Sequence, residues 1–135
     1  MIDYVSILAA NSNGILATQD GDKVRTRMLQ YLFTEENKVY LSTSNKKALF
    51  AQLQANPNVS FCTYSESFTS VLSVYGKVVF EQDCTLRARA LDANRLMRNI
   101  YTTPENPSFE LFYIDVEEVV TFDFANGKQT YVIAK

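Results

Sequence analysis

Two groups of residues carry charges and hydroxyls in patterns that call for a ligand. Thr43-Ser44-Asn45-Lys46-Lys47 lies where a strand-like run gives way to helical spacing. A helix start presents unpaired N–H groups and the positive end of the backbone dipole, so hydroxyls and ammonium groups there form a seat for an anion. Two lysines in a first turn are the oddity, because carboxylates suit that end of the dipole better. The plain alternative is that Ser44 is an N-cap and the lysines are solvated. Arg25 and Arg27 fall on a strand face shared with Leu29, Tyr31 and Phe33. A guanidinium on such a face suits a phosphate or carboxylate, which it grips through paired hydrogen bonds. Arginines snorkelling out to surface acids are the competing reading. Arg87, Arg89, Arg95 and Arg98 form a further basic run, which reads as a solvated helix face.

Other chemistries are closed off by what the chain lacks. It has no histidine, so catalysis that depends on imidazole is excluded. Cys62 and Cys84 form no CxxC pair, and a zinc site built on them and carboxylates is not expected. Asp115, Glu117, Glu118 and Asp123 lie on a late strand-rich stretch, and nothing singles out two of them as an acid–base pair. A net charge of −2 and a pI near 5.1 give no footprint for nucleic acid or an anionic membrane. No apolar run approaches the roughly 20 residues of a membrane span. The opening residues lack the basic and apolar regions of a signal peptide, so a cytoplasmic chain with reduced thiols is expected. Its 135 residues suit a single domain over 1–135.

The elements that must position these groups read as follows. Residues 2–11 carry a short helical stripe. Residues 15–18 form a strand, Asp20-Gly21-Asp22 a hairpin turn, and residues 24–33 a long strand. Glu35-Glu36-Asn37 makes the next turn before a strand over 39–43. Leu49, Phe50 and Leu53 give a helix that Asn56-Pro57 stops. Strands follow over 59–64 and 70–80. Leu86, Ala90, Ala93, Met97 and Ile100 form a second amphipathic helix. Residues 109–124 and 131–134 close the chain as strands. Antiparallel strands with short turns and inserted helices predict a mainly β, small antiparallel barrel with peripheral helices.

The ordered set Gly14-Ile15-Leu16-Ala17-Thr18, Asp20-Gly21, Val24-Arg25-Thr26-Arg27-Met28, Val39-Tyr40-Leu41-Ser42-Thr43, Lys47 and Gln52-Leu53-Gln54-Ala55-Asn56-Pro57-Asn58-Val59 resembles the pyridoxamine-5′-phosphate-oxidase-like family. Tyr75-Gly76-Lys77-Val78 fits it too, and the match is nearest the short bacterial, nitroimidazole-reductase-like branch. The resemblance implies a split β-barrel and a homodimer with FMN at its interface. It implies flavin redox chemistry on an unknown substrate, with NADH or NADPH as candidate donor. By position it puts Arg27 on the FMN phosphate, with Thr43, Lys47 and the weaker candidate Lys46. It lays the Met28-Leu29-Gln30 backbone along the isoalloxazine. Three departures stand out. Met28 replaces a frequent proline, Val71 stands where the oxidase has a flavin-contacting glutamine, and the oxidase's C-terminal arginine–histidine motif is missing. Genuine pyridoxamine phosphate oxidation is therefore not expected. A deazaflavin or haem in place of FMN, a non-enzymatic cofactor-binding module and a cofactor-free dimeric barrel remain the alternatives. The apolar Phe109, Leu111 and Tyr113 are expected at the dimer contact.

Overall fold

Apolar residues at every second position give a strand one face to bury, and that alternation builds most of this molecule. In the computed structural model, which describes residues 2–134, the elements are α1 (Tyr4–Ala10), β1 (Asn13–Asp20), β2 (Lys23–Gln30), β3 (Phe33–Glu35), β4 (Lys38–Ser44), α2 (Ala48–Ala55), β5 (Asn58–Tyr64), β6 (Ser70–Glu81), α3 (Cys84–Asp92), α4 (Arg95–Tyr101), β7 (Phe109–Asp123) and β8 (Gly127–Val132). The strands form one antiparallel sheet in the order β2-β1-β5-β6-β7-β4-β3, with β8 also paired to β7. The ends of this order, β2 and β3, follow one another in the chain. The sheet therefore curls into a barrel split between β2 and the β3–β4 pair.

Leu16, Phe61, Val74, Phe112 and Ile114 point into the barrel and are buried there with Leu8 of α1 and Leu49 and Leu53 of α2. Burying each such side chain is worth about 1.5–3 kcal/mol. A second core lies outside the barrel wall, where α3 and α4 cover Phe33, Tyr40, Phe109 and Leu111. Phe109 and Leu111 are therefore shut beneath helices, and Tyr113 packs against the same cluster. The expected dimer contact through these residues is thereby corrected. Which face of β7 a helix covers is decided by tertiary packing and leaves no mark on the strand's own pattern.

Two elements expected to be continuous are broken. The run 24–33 divides at Tyr31-Leu32, whose N–H groups donate to Ser12 and Tyr40 carbonyls rather than continuing one ladder. The helix expected over 86–100 divides at Asn94, whose side chain accepts from the Leu96 N–H and caps α4. Asparagine competes with the helix for backbone groups in this way. The β3–β4 turn is as expected, with Glu36 and Asn37 both in the left-handed region (φ 48° and 62°).

The longest pairing, β6 with β7, shifts register between Tyr75 and Gly76. A β-carbon on Gly76 would sit 2.2 Å from the Asp115 carbonyl oxygen. Backbone cannot yield as a side-chain tip can, so this irregularity, which bends the wall toward closure, requires glycine. Gly76→Ala is expected to cost on the order of 3 kcal/mol in urea unfolding; wild-type stability would show that the strands can part at no cost.

Buried phenols give the fold an alkaline limit. Burial pushes the Tyr4 phenol from 10.0 up to about 12, with Tyr31 adding to the rise. Burial also raises Tyr31, Tyr40 and Tyr101. Unfolded tyrosines lose their protons first, so the stability these groups confer is complete below pH 10 and is lost as pH rises towards 12. Denaturant midpoints measured between pH 8 and 11.5 should be flat and then fall above pH 10, with a shallower fall in Tyr4→Phe.

Candidate functional site

Across the split of the barrel, β2 faces the end of β4 and the helix that follows it. Strand alternation turns Arg27 and Leu29 inward and leaves Val24 and Met28 on the outside, 69% and 64% exposed. The Arg27 guanidinium, part-buried, reaches over β1 to α2. Its Nη1 donates to the Thr18 hydroxyl at 2.8 Å and the Leu16 carbonyl at 3.1 Å, and its Nη2 donates to Gln52 Oε1 at 2.6 Å. The Thr18 hydroxyl donates to the same Gln52 oxygen at 2.8 Å. Every acceptor is neutral, and among the described residues Arg27 forms no ion pair. Burial lowers its pKa from 12.5, which leaves the group a cation at neutral pH. A half-desolvated cation without a counter-charge is costly, and an anion would offset that cost.

Arg25, which shares the strand face, goes elsewhere and pairs with Asp20 at 3.0 Å on the surface. That is the snorkelling alternative, realised at one arginine of the two. On α3 and α4, Arg89 pairs with Glu35 and lies over the Phe33 ring, and Arg98 pairs with Asp92. Arg87 stacks on Phe109 and holds the carbonyls of Pro104 and Asn106. Arg87 and Arg89 thus tie α3 to its surroundings, Arg98 links α4 only to the exposed Asp92 of α3, and Arg95 is exposed as expected of a solvated face.

The lysines stand one step earlier than expected. The Ser44 hydroxyl accepts from the Lys46 N–H and its carbonyl accepts from the Lys47 N–H, which makes a turn before the helix. Lys47 is the N-cap of α2 and contributes no side-chain cap. Both lysines therefore precede the first turn, exposed, with no ion pair among the described residues. Thr43 is buried on the inner face opposite Glu110, and its hydroxyl has no partner among the described residues. The Glu110 carboxylate accepts from Asn45 Nδ2 at 2.9 Å. Along β2, Leu29 packs on the core while Gln30 accepts from Asn94 Nδ2 at the start of α4. Of the Met28-Leu29-Gln30 wall, Met28 is the side chain most open to solvent.

Thr18, Gln52 and Asn94 were not expected at the site. Thr18 did leave a signal, since it is in phase with Leu16 on the buried face of β1, where a hydroxyl needs a partner. These residues suit a phosphate monoester. They offer an unpaired guanidinium, two free ammonium groups at a helix start and an orphaned hydroxyl. No group of three or more candidate metal ligands exists among the described residues, and no described helix is long and apolar enough to cross a membrane.

A family model described as pyridoxamine 5′-phosphate oxidase matches residues 3–123. No curated protein matches the sequence. A NimC/NimA family protein from Clostridium acetobutylicum superposes with TM-score 0.85 at 24% identity, over 96% of this chain and 90% of that one. A heme binding protein from Mycobacterium smegmatis gives TM-score 0.77 at 18% identity, over 93% and 55% of the two chains. A pyridoxamine 5′-phosphate oxidase-related, FMN binding protein from Nostoc punctiforme gives 0.71 at 15% identity, over 100% and 99%. These likenesses establish the fold.

If Arg27 is an anion seat rather than a structural cation, its removal has a signature. Arg27→Met is expected to melt no lower than wild type in anion-free buffer. Inorganic phosphate at tenfold its Kd should raise the wild-type melting temperature by about 3–5 °C and leave the variant unmoved. A destabilised variant that still responds to phosphate would make Arg27 structural.

Proposed function

Since this chain belongs to the pyridoxamine 5′-phosphate oxidase family, we propose that it binds FMN and works with it as an oxidoreductase of unknown substrate, as a cytoplasmic homodimer. The observation that carries the reading is the Arg27 guanidinium, held part-buried by neutral oxygens alone. The phosphate sits on Arg27 and Lys47, with Lys46 beside them and the Thr43 hydroxyl as a further donor. The flat ring lies along Met28-Leu29-Gln30, where Met28 offers an apolar surface and Asn94 fixes the Gln30 amide. Bound there, FMN supplies hydride or electron transfer, with NADH or NADPH as donor. A haem in this place has no histidine in the chain to ligate it.

The dimer reading rests on the outer face of the sheet. Met28, Ile15, Cys62, Ser73 and Val120 form one register row across β2, β1, β5, β6 and β7. These side chains are small or apolar, and none of them belongs to the cluster that α3 and α4 cover. A second copy laid on this face would close the open side of the flavin groove.

Titration of the apoprotein by flavin fluorescence quenching tests the seat. Each charge-assisted contact is worth about 1.5–3 kcal/mol, so Arg27→Ala or Lys47→Ala should weaken FMN roughly tenfold to a hundredfold. Riboflavin should bind poorly and be indifferent to both changes, and Arg25→Ala should matter little. Two folded variants with wild-type FMN affinity would move the seat elsewhere. A wild type that binds no flavin would end the oxidoreductase reading.

A further inference from the structure

The half-buried Gln30 carboxamide stands on the proposed ring wall with its oxygen engaged and its N–H groups free. The oxygen accepts from Asn94 Nδ2, and the N–H groups have no partner among the described residues. A chain of bonds that begins on the backbone fixes which end of this amide points where. The Leu96 N–H can only donate, so the atom that takes it at 2.8 Å is Asn94 Oδ1. That leaves Nδ2 as the Asn94 atom turned toward Gln30. A donor there selects the oxygen of the Gln30 amide and not its nitrogen. Asn94 is held in turn by the helix it caps. Met97 of α4 packs against the cluster of Phe33, Tyr40 and Leu91, and Arg98 pairs with Asp92. A loose glutamine offers a ligand either end of its amide, whereas this one offers its N–H groups.

The backbone beside it is open as well. The Tyr31 N–H donates to the Ser12 carbonyl, so odd residues of β2 bond to β1, in the register that pairs Leu29 with Gly14 and Arg27 with Leu16. The N–H and C=O groups of Met28 and Gln30 therefore point the other way. On that side β2 is an edge, and no strand pairs with it among the described residues. The next N–H in this phase, that of Leu32, is taken by the Tyr40 carbonyl. The open edge thus ends at Gln30, where the side-chain donors stand.

We infer that Asn94 is a positioning residue for the flavin: it locks the Gln30 carboxamide with its N–H groups toward the ring, and those donors favour the reduced cofactor over the oxidised one. This role rests on the FMN reading above and adds to it a control of the reduction potential. A hydride from a reduced nicotinamide brings two electrons and a proton to the ring and leaves the nicotinamide oxidised. The ring then carries one negative charge, spread over nitrogen and carbonyl oxygen at its pyrimidine end. A hydrogen bond to a charged acceptor is stronger than one to a neutral acceptor, so a donor at that end holds the reduced ring more tightly. An oxygen in the same place does the reverse.

Potentiometric titration of the FMN-loaded full chain against reference dyes measures this preference. In Asn94→Asp the carboxylate still caps α4 but has no donor, so Gln30 turns its N–H groups to the carboxylate and its oxygen to the ring. Reduced FMN should lose about tenfold in binding relative to oxidised FMN, which lowers a two-electron potential by about 30 mV. Gln30→Met, which removes the amide, should lower the potential by a similar amount. The charge of the carboxylate is separated from the turning of the amide by combining the two changes. In the Gln30→Met background, Asn94→Asp should add little. Arg27→Ala should weaken both oxidation states alike and leave the potential in place. Wild-type potentials in both single variants, with oxidised FMN still bound, would overturn the role of Asn94 and leave the FMN reading standing. Fully additive shifts in the double variant would overturn it too, since charge alone would then explain them. A wild type that binds no flavin ends both.

Discussion

Arg27 is a cation half out of water whose hydrogen bonds all end on neutral oxygens. In meeting its needs the chain ties together β2, β1 and α2. The guanidinium takes the Leu16 carbonyl of β1, the Thr18 hydroxyl is buried in phase with Leu16, and Gln52 turns its amide oxygen toward both. A carboxylate in place of Gln52 would neutralise the charge and fill the seat with the protein's own anion. An amide holds the group in position and leaves its charge unspent, which suits a site meant for a charged ligand.

The rest of the fold keeps that group at an opening. The irregularity at Gly76 bends the longest strand pair, and the curled sheet stops short of closing between β2 and β4. The split leaves β2 as an edge strand with Met28 facing outward. It also brings the turn at Ser44 and the start of α2 to the other side of the gap. The helix break at Asn94 serves the same region, because the residue that caps α4 also grips Gln30.

Much of this was legible in the chain. Glu36-Asn37 and Asp20-Gly21-Asp22 announced hairpins because such residues tolerate positive φ. The apolar Leu29 on the face of Arg27 marked that arginine as wanting either an anion or a way out to surface acids. Local pattern failed where a distant partner decided the outcome. Tyr31 and Leu32 keep the alternation of β2, yet their N–H groups are claimed by Ser12 and Tyr40. Lys46 and Lys47 follow a good capping serine, yet Ser44 spends its hydroxyl on a turn and the helix starts four residues later. Arg25 and Arg27 are the same residue on the same face, and only the nearby Asp20 distinguishes their fates. Phe109 and Leu111 look equally ready for a partner subunit or a helix, and α3 and α4 supply the helices.

The central claim is that Arg27, with the lysines at the start of α2, holds the phosphate of FMN. The most direct measurement is the ³¹P resonance of that phosphate, followed from pH 5 to 8 in the free and bound states. A free phosphate monoester takes up its second proton near pH 6. Bound against an unpaired guanidinium and two ammonium groups, it should stay dianionic, with a resonance nearly flat to below pH 5.5, and Arg27→Ala should restore much of the titration. A bound phosphate that titrates as it does in water would place it in solvent and contradict the account.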